Sequence, residues 1–161
     1  MCVFLCTFAL NNKRMANLHI FNPEHDLALA AGITNFTPPH AATLLANALA
    51  FIPAFWADNG DAVVVEDKKA VQRLSAGFLP WMADVTWIDK SEVAGWIRNA
   101  DNQSLSLMPW GWDATVRQRF RKWGAPDDKL PDNATLKQWK RLSGRATAVE
   151  LLRRFCHEYH W

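Results

Sequence analysis

Two hydrophobic periods take turns along the chain. "NLHIF" (Asn17–Phe21) reads as a short buried strand that ends at an Asn-Pro step. A helix follows, with Thr37 as its cap and Pro38 in its first turn. Leu45, Leu49 and Ile52 recur on its apolar side. "NGDAVVVE" then gives a turn and a β-branched strand over Ala62–Glu66.

The alternation continues. Val71, Leu74 and Phe78 mark a helix, and "DVTWI" (Asp84–Ile88) a third strand. Ser91 opens a helix with Val93, Trp96, Ile97 and Ala100 on one face, and "SLSLM" (Ser104–Met108) is the fourth strand. Val116, Phe120 and Trp123 set the buried side of the next helix. Beyond Gly124 the alternation stops at "APDDKLPDN". Two helices are expected after it, around Leu136 and Trp139 and around Val149, Leu152 and Cys156.

Strands alternating with amphipathic helices predict right-handed βαβ units. The expected fold is α/β: a three-layer open parallel sheet of about four strands, Rossmann-like, in the order 3-2-1-4, with C-terminal helices. Residues 1–15 read as a leader outside the fold, 16–124 as the Rossmann-like domain, and 125–161 as a helical extension leading toward a further domain.

The totals narrow the function classes. A chain of 161 residues suits one domain. Three cysteines (Cys2, Cys6, Cys156) form neither metal spacing nor an even disulfide framework, which fits a reducing cytoplasm. "MCVFLCTFAL" is too short to span a membrane and lacks the basic start of a secretory signal, so no membrane role is expected. Residues 113–161 carry eleven Lys/Arg against six Asp/Glu, whereas residues 1–112 carry seven against ten. A basic third can meet nucleic acid. No basic–aromatic RNA signature accompanies it, and solvated helix faces explain it better. Nine tryptophans call for a large core, a stacking surface or a covering partner.

Chemistry concentrates in two turns. In "NPEHD", Asn22 suits a helix cap, Pro23 the first helical position, and Glu24 and Asp26 the positive helix terminus. His25 is left unexplained by capping. In "PWGWD", Trp110 and Trp112 flank Gly111, a site of close approach, and Asp113 can cap the next helix. Parallel sheets bind ligands beyond their strand ends, at the reversal of strand order. With the order 3-2-1-4 that reversal lies between the first and fourth strands. Asn22, Glu24, His25 and Asp26 would then face Trp110, Gly111, Trp112 and Asp113 across one ligand-binding cleft.

Metal ligation and hydrolysis by Glu24, His25 and Asp26, with His40 as a further donor, is an alternative. Adjacent residues cannot all point inward, so the run is poor metal spacing, and no metal site is assigned. "CHEYH" (Cys156–His160) misses the H-E-x-x-H zinc spacing by one place. Neither G-x-G-x-x-G nor a P-loop occurs.

"FNPEHDLALAAG", "FTPPHAATLLANAL" and "MPWGWDATVRQRF", with "LSGRATAVELL" near the end, resemble the N-terminal region of a group of bacterial ATP-grasp-like proteins. The resemblance runs from Leu18 to Leu152. It implies a Rossmann-like pre-ATP-grasp domain, accessory to the substrate side of an ATP-dependent ligase. ATP and Mg²⁺ are implied only for a downstream ATP-grasp core, so the chain itself is expected to be a fragment without cofactor and not catalytic alone, and no catalytic residues are carried over to it. Its expected partners are that core or a second copy, and a small carboxylate or amine ligand. A free-standing small-molecule-binding or assembly module remains the other reading.

Overall fold

The computed structural model describes residues 16–77, 79–102 and 104–159. The expected leader, Phe78 and the end of "CHEYH" lie outside them. The elements run in the expected alternation: β1 (Ala16–Ile20), α1 (His25–Ala31), α2 (His40–Ala48), β2 (Ala62–Val65), α3 (Lys68–Ser75), β3 (Thr86–Asp89), α4 (Val93–Asn99), β4 (Leu105–Pro109) and α5 (Ala114–Lys122). Two further helices follow, α6 (Asn133–Leu142) and α7 (Arg145–Tyr159). All strand pairs are parallel and the order is β3-β2-β1-β4, the order expected from the sequence.

β1 is an inner strand, flanked by β2 and β4. Leu18 pairs with Ala62 on one side and Leu107 on the other, and Ile20 ends in register with Pro109. Strand residues alternate between faces. Leu18, Ile20, Ala62, Val64, Ile88, Leu105 and Leu107 share one face, and on them pack Val93 and Ile97 of α4 and Val116 and Phe120 of α5. These helices bury the positions that the 3.6-residue period selected. The opposite face is thinner: Val63 and Val65 meet Val71 of α3 and Ala50.

That second face also holds a polar anchor. His19 and Asp61 are both buried, with His19 Nε2 2.9 Å from Asp61 Oδ2. Asn17 donates its amide to both oxygens of Asp61, and the Asp58 N–H donates to Oδ2. One carboxylate therefore ties β1 to the turn before β2. Buried polar atoms need such partners, because each one left unpaired costs about 1–3 kcal/mol.

Three helix starts differ from the expectation. The α1 cap position is Glu24 rather than Asn22, and no side chain caps it. Asn22 cannot serve there because its amide is engaged elsewhere. α2 begins at His40, after both prolines, with Pro39 at its cap position. Pro39 disfavours a helical backbone at Pro38, so the turn cannot begin earlier. α4 takes Glu92, not Ser91, at its cap position.

α6 is joined to α1 through Lys140, whose ammonium donates to the Ala30 carbonyl at 2.6 Å. A cation there complements the negative helix end, which Gly32 closes in the left-handed conformation (φ 68°). Leu136 is the buried anchor of α6. α7, by contrast, buries no residue. No helix among the described residues is long and apolar enough to cross a membrane.

Candidate functional site

The register of β1 with β4 brings the two polar turns together. Trp110 N–H donates to the Ile20 carbonyl at 2.8 Å, extending the ladder beyond the strand ends. Asn22, fully buried, then bridges the turns with both ends of its amide. Its Nδ2 donates to the Gly111 carbonyl at 2.8 Å, and its Oδ1 accepts the Gly111 N–H at 3.2 Å.

His25 closes the space above that bridge. A Cβ on residue 111 would lie 2.1 Å from His25 Cγ and 2.2 Å from Nδ1, so only glycine admits the imidazole here. His25 Nε2 reaches Asp26 Oδ1 at 3.2 Å, on the solvent side. Its Nδ1 is buried without a hydrogen-bond partner among the described residues. The junction between the first and fourth strands is thus occupied by Asn22 and His25.

Asp113 lies behind the junction and is almost wholly buried. Its Oδ1 accepts the N–H groups of Thr115 (2.8 Å) and Val116 (2.9 Å), capping α5 as its sequence position suggested. Its Oδ2 has no hydrogen-bond partner among the described residues. Burial pushes this carboxyl above the usual aspartate range, against the downward pull of the two N–H groups and of Arg119 and His25.

The two tryptophans diverge. Trp110 meets Phe21 and Trp56 edge-on or tilted, with ring centroids 5.6 and 5.5 Å away, and is half exposed. Trp112 packs 5.4 Å from Phe120 in the core.

The open space lies beside the junction, toward β2. A cavity of about 90 Å³ sits at the carboxyl ends of β1 and β2, between α2 and α5. A single water needs roughly 10–15 Å³ by this kind of measure, so the cavity admits a small organic molecule. Apolar walls come from Phe21, Pro38, Ala46, Ala50 and Trp123, and four charged groups line it: Glu24, Glu66, Lys90 and Arg119.

Glu66 and Lys90 form an ion pair with each other. Partial burial, and then the Arg119 charge, pull Lys90 below the usual lysine range, while Glu24 opposes them. Glu24 Oε2 is buried without a hydrogen-bond partner. The Arg119 guanidinium likewise has neither hydrogen bond nor ion pair among the described residues.

Of the eight candidate residues, Glu24 alone lines this cavity. Asn22, His25, Gly111 and Asp113 form the closed junction, Asp26 points to solvent, and Trp110 and Trp112 lie on opposite sides of it. Glu66, Lys90 and Arg119 were not singled out from the sequence. The first two directly follow β2 and β3, so the rule of ligands beyond strand ends applied to them as well. Arg119 carried no signal, being one basic residue among several on its helix. Among the described residues, no group of three or more His, Cys, Asp or Glu side chains converges as a metal-ligand set.

Comparison with protein-family models, curated proteins and solved structures finds no match to the chain.

Proposed function

We propose that this domain holds a small carboxylate or amine at the carboxyl edge of its sheet, as the substrate-side accessory domain of an ATP-dependent, ATP-grasp-like ligase. The observation that carries the reading is the cavity at the ends of β1 and β2, lined by charges of both signs. The cavity lies outside the carboxyl ends of parallel strands, the side on which such sheets take ligands, one strand away from the reversal of strand order. Charged groups beside apolar walls are what orients a small polar molecule. The motif "NPEHD" supplies one of the lining groups, Glu24, and "PWGWD" buttresses it through Asn22 and His25.

ATP chemistry is assigned to a separate core. Phosphoryl transfer needs donors around the phosphates, a cationic clamp and acidic residues on Mg²⁺. In this cavity Lys90 is engaged by Glu66 and is not left to clamp a phosphate.

The test is ATP turnover with Mg²⁺ across a panel of amino acids, small carboxylates and amines, using protein free of contaminating ATPase. The expected result is no sustained turnover, together with a rise in melting temperature for some members of the panel. Turnover abolished by both Glu24→Gln and Asp113→Ala would make this a compact enzyme. A flat thermal response to every member would remove the cavity as the seat.

A second reading, an assembly module, draws on α7, where Val149, Leu152, Phe155 and Tyr159 all face solvent. Concentration-dependent self-association in sedimentation, lost in Leu152→Gln, would favour it.

A further inference from the structure

We propose that the cavity between α2 and α5 takes a small α-amino acid as its zwitterion, with Arg119 receiving the carboxylate and Glu24 the ammonium. The inference rests on the substrate-side reading for the ligand's location, and adds its chemistry. Four charged side chains line the cavity, but they are not equivalent. Lys90 and Glu66 satisfy one another. Arg119 and Glu24, of opposite sign and lining the same space, do not pair.

Opposite charges that share a cavity normally close on each other, since the low local dielectric strengthens their attraction. Here they sit on different elements, Glu24 on the turn after β1 and Arg119 in the middle of α5, and no hydrogen bond or ion pair joins them among the described residues. Glu24 Oε2 is also buried without a hydrogen-bond partner among the described residues, whereas buried polar atoms are as a rule paired. A carboxylate and a guanidinium that line one small cavity without pairing to each other match the two ends of a zwitterion.

Ligands with one charge leave half of that arrangement unsatisfied. A simple carboxylate could dock on Arg119 by a two-pronged contact, but it would bring a second negative charge toward Glu24. A simple amine would meet Glu24 and leave Arg119 unanswered. Discrimination is strongest where the wrong ligand strands a polar group of the site. The zwitterion answers both groups and adds no net charge. Its side chain would meet Phe21, Pro38, Ala46, Ala50 and Trp123, and a cavity of about 90 Å³ limits it to a short apolar one.

The experiment compares L-alanine with its two half-molecules, propionate and ethylamine, by calorimetry or NMR titration of the full chain. L-alanine is expected to bind at least about tenfold more tightly than either. In Glu24→Gln that advantage over propionate should vanish, while in Arg119→Gln the advantage over ethylamine should vanish. Arg119→Lys, which keeps the charge but not the fork, should retain part of it and serves if Arg119→Gln fails to fold. Equal binding of L-alanine and either half-molecule to the unaltered chain overturns the zwitterion while the substrate-side reading stands. L-alanine affinity unchanged in both Glu24→Gln and Arg119→Gln places the ligand elsewhere and overturns the assignment. No binding by any of the three overturns it together with the seat itself.

Discussion

At position 111 a methyl group would collide with the His25 ring, and the consequence can be measured. Gly111→Ala should cost about 1–3 kcal/mol in denaturant unfolding, the usual range for overpacking. Its cause is a single neighbour, so in a His25→Ala background most of that cost should disappear. A coupling within the 0.5–3 kcal/mol range typical of touching residues is expected from the double-mutant cycle. Additive losses would mean that the ring does not hold its place over Gly111. Asp113 makes a prediction of a different kind. Its pKa is raised by burial, so the folded chain binds its proton more tightly than the unfolded chain does. The stability it contributes is complete below the ordinary aspartate range and is lost as pH rises through the elevated value. Asp113→Asn can still accept the Thr115 and Val116 N–H groups, and should melt higher than the parent at neutral pH. The two melting curves should draw together in acid; a variant less stable at every pH would show that the charge is favourable. The meeting of these turns was legible, because it follows from the strand order and the Ile20–Pro109 register. That Asn22 would spend both ends of its amide on Gly111 was not. Which side chain fills a junction depends on rotamers and distances that residue order does not encode.

Among the elements, the helices facing the better-packed side of the sheet were the readable ones. Val93 and Ile97 of α4, and Val116 and Phe120 of α5, are all buried. α2 behaves otherwise. Its apolar stripe placed Leu45, Leu49 and Ile52 inward, yet Leu44 and Leu45 are about half exposed and the helix buries nothing. Ala46 and Asn47 face the cavity instead. Periodicity reveals that a stripe exists, not what stands opposite it, and here the smaller side chains are the ones turned inward. Leucines in their place would reduce the cavity that Glu24 and Arg119 share. α7 carries the same lesson further, since its spacing of Val149, Leu152 and Cys156 fits an amphipathic helix, yet none of these residues is buried. Leu152→Gln should therefore change the monomer's stability by less than about 0.5 kcal/mol, as surface substitutions do. Leu136→Ala on α6 should cost about 2–5 kcal/mol, as large-to-small core changes do. Equal losses in chemical denaturation would mean that α7 packs in solution.

For the molecule as a whole, strand order and handed crossovers prune the possible topologies so far that four strand-like runs sufficed to predict the sheet. The sequence did not disclose the polar anchor of Asn17, His19 and Asp61, because no local pattern links the middle of one strand to the turn before the next. The inner position of β1 has a consequence for how the protein is made. Of the four strands described, β1 leaves the ribosome first, but all five of its residues pair with β4 while only Leu18 and His19 pair with β2, and β4 lies about 90 residues further on. At roughly 5–20 residues per second, the β4-facing edge of β1 stays unpaired for roughly 5–20 s of synthesis. An open strand edge is a template for any other chain. A strand paired on both sides in the finished protein is thus one whose β4-facing edge a nascent chain leaves open, and the place where a chaperone would act to most effect.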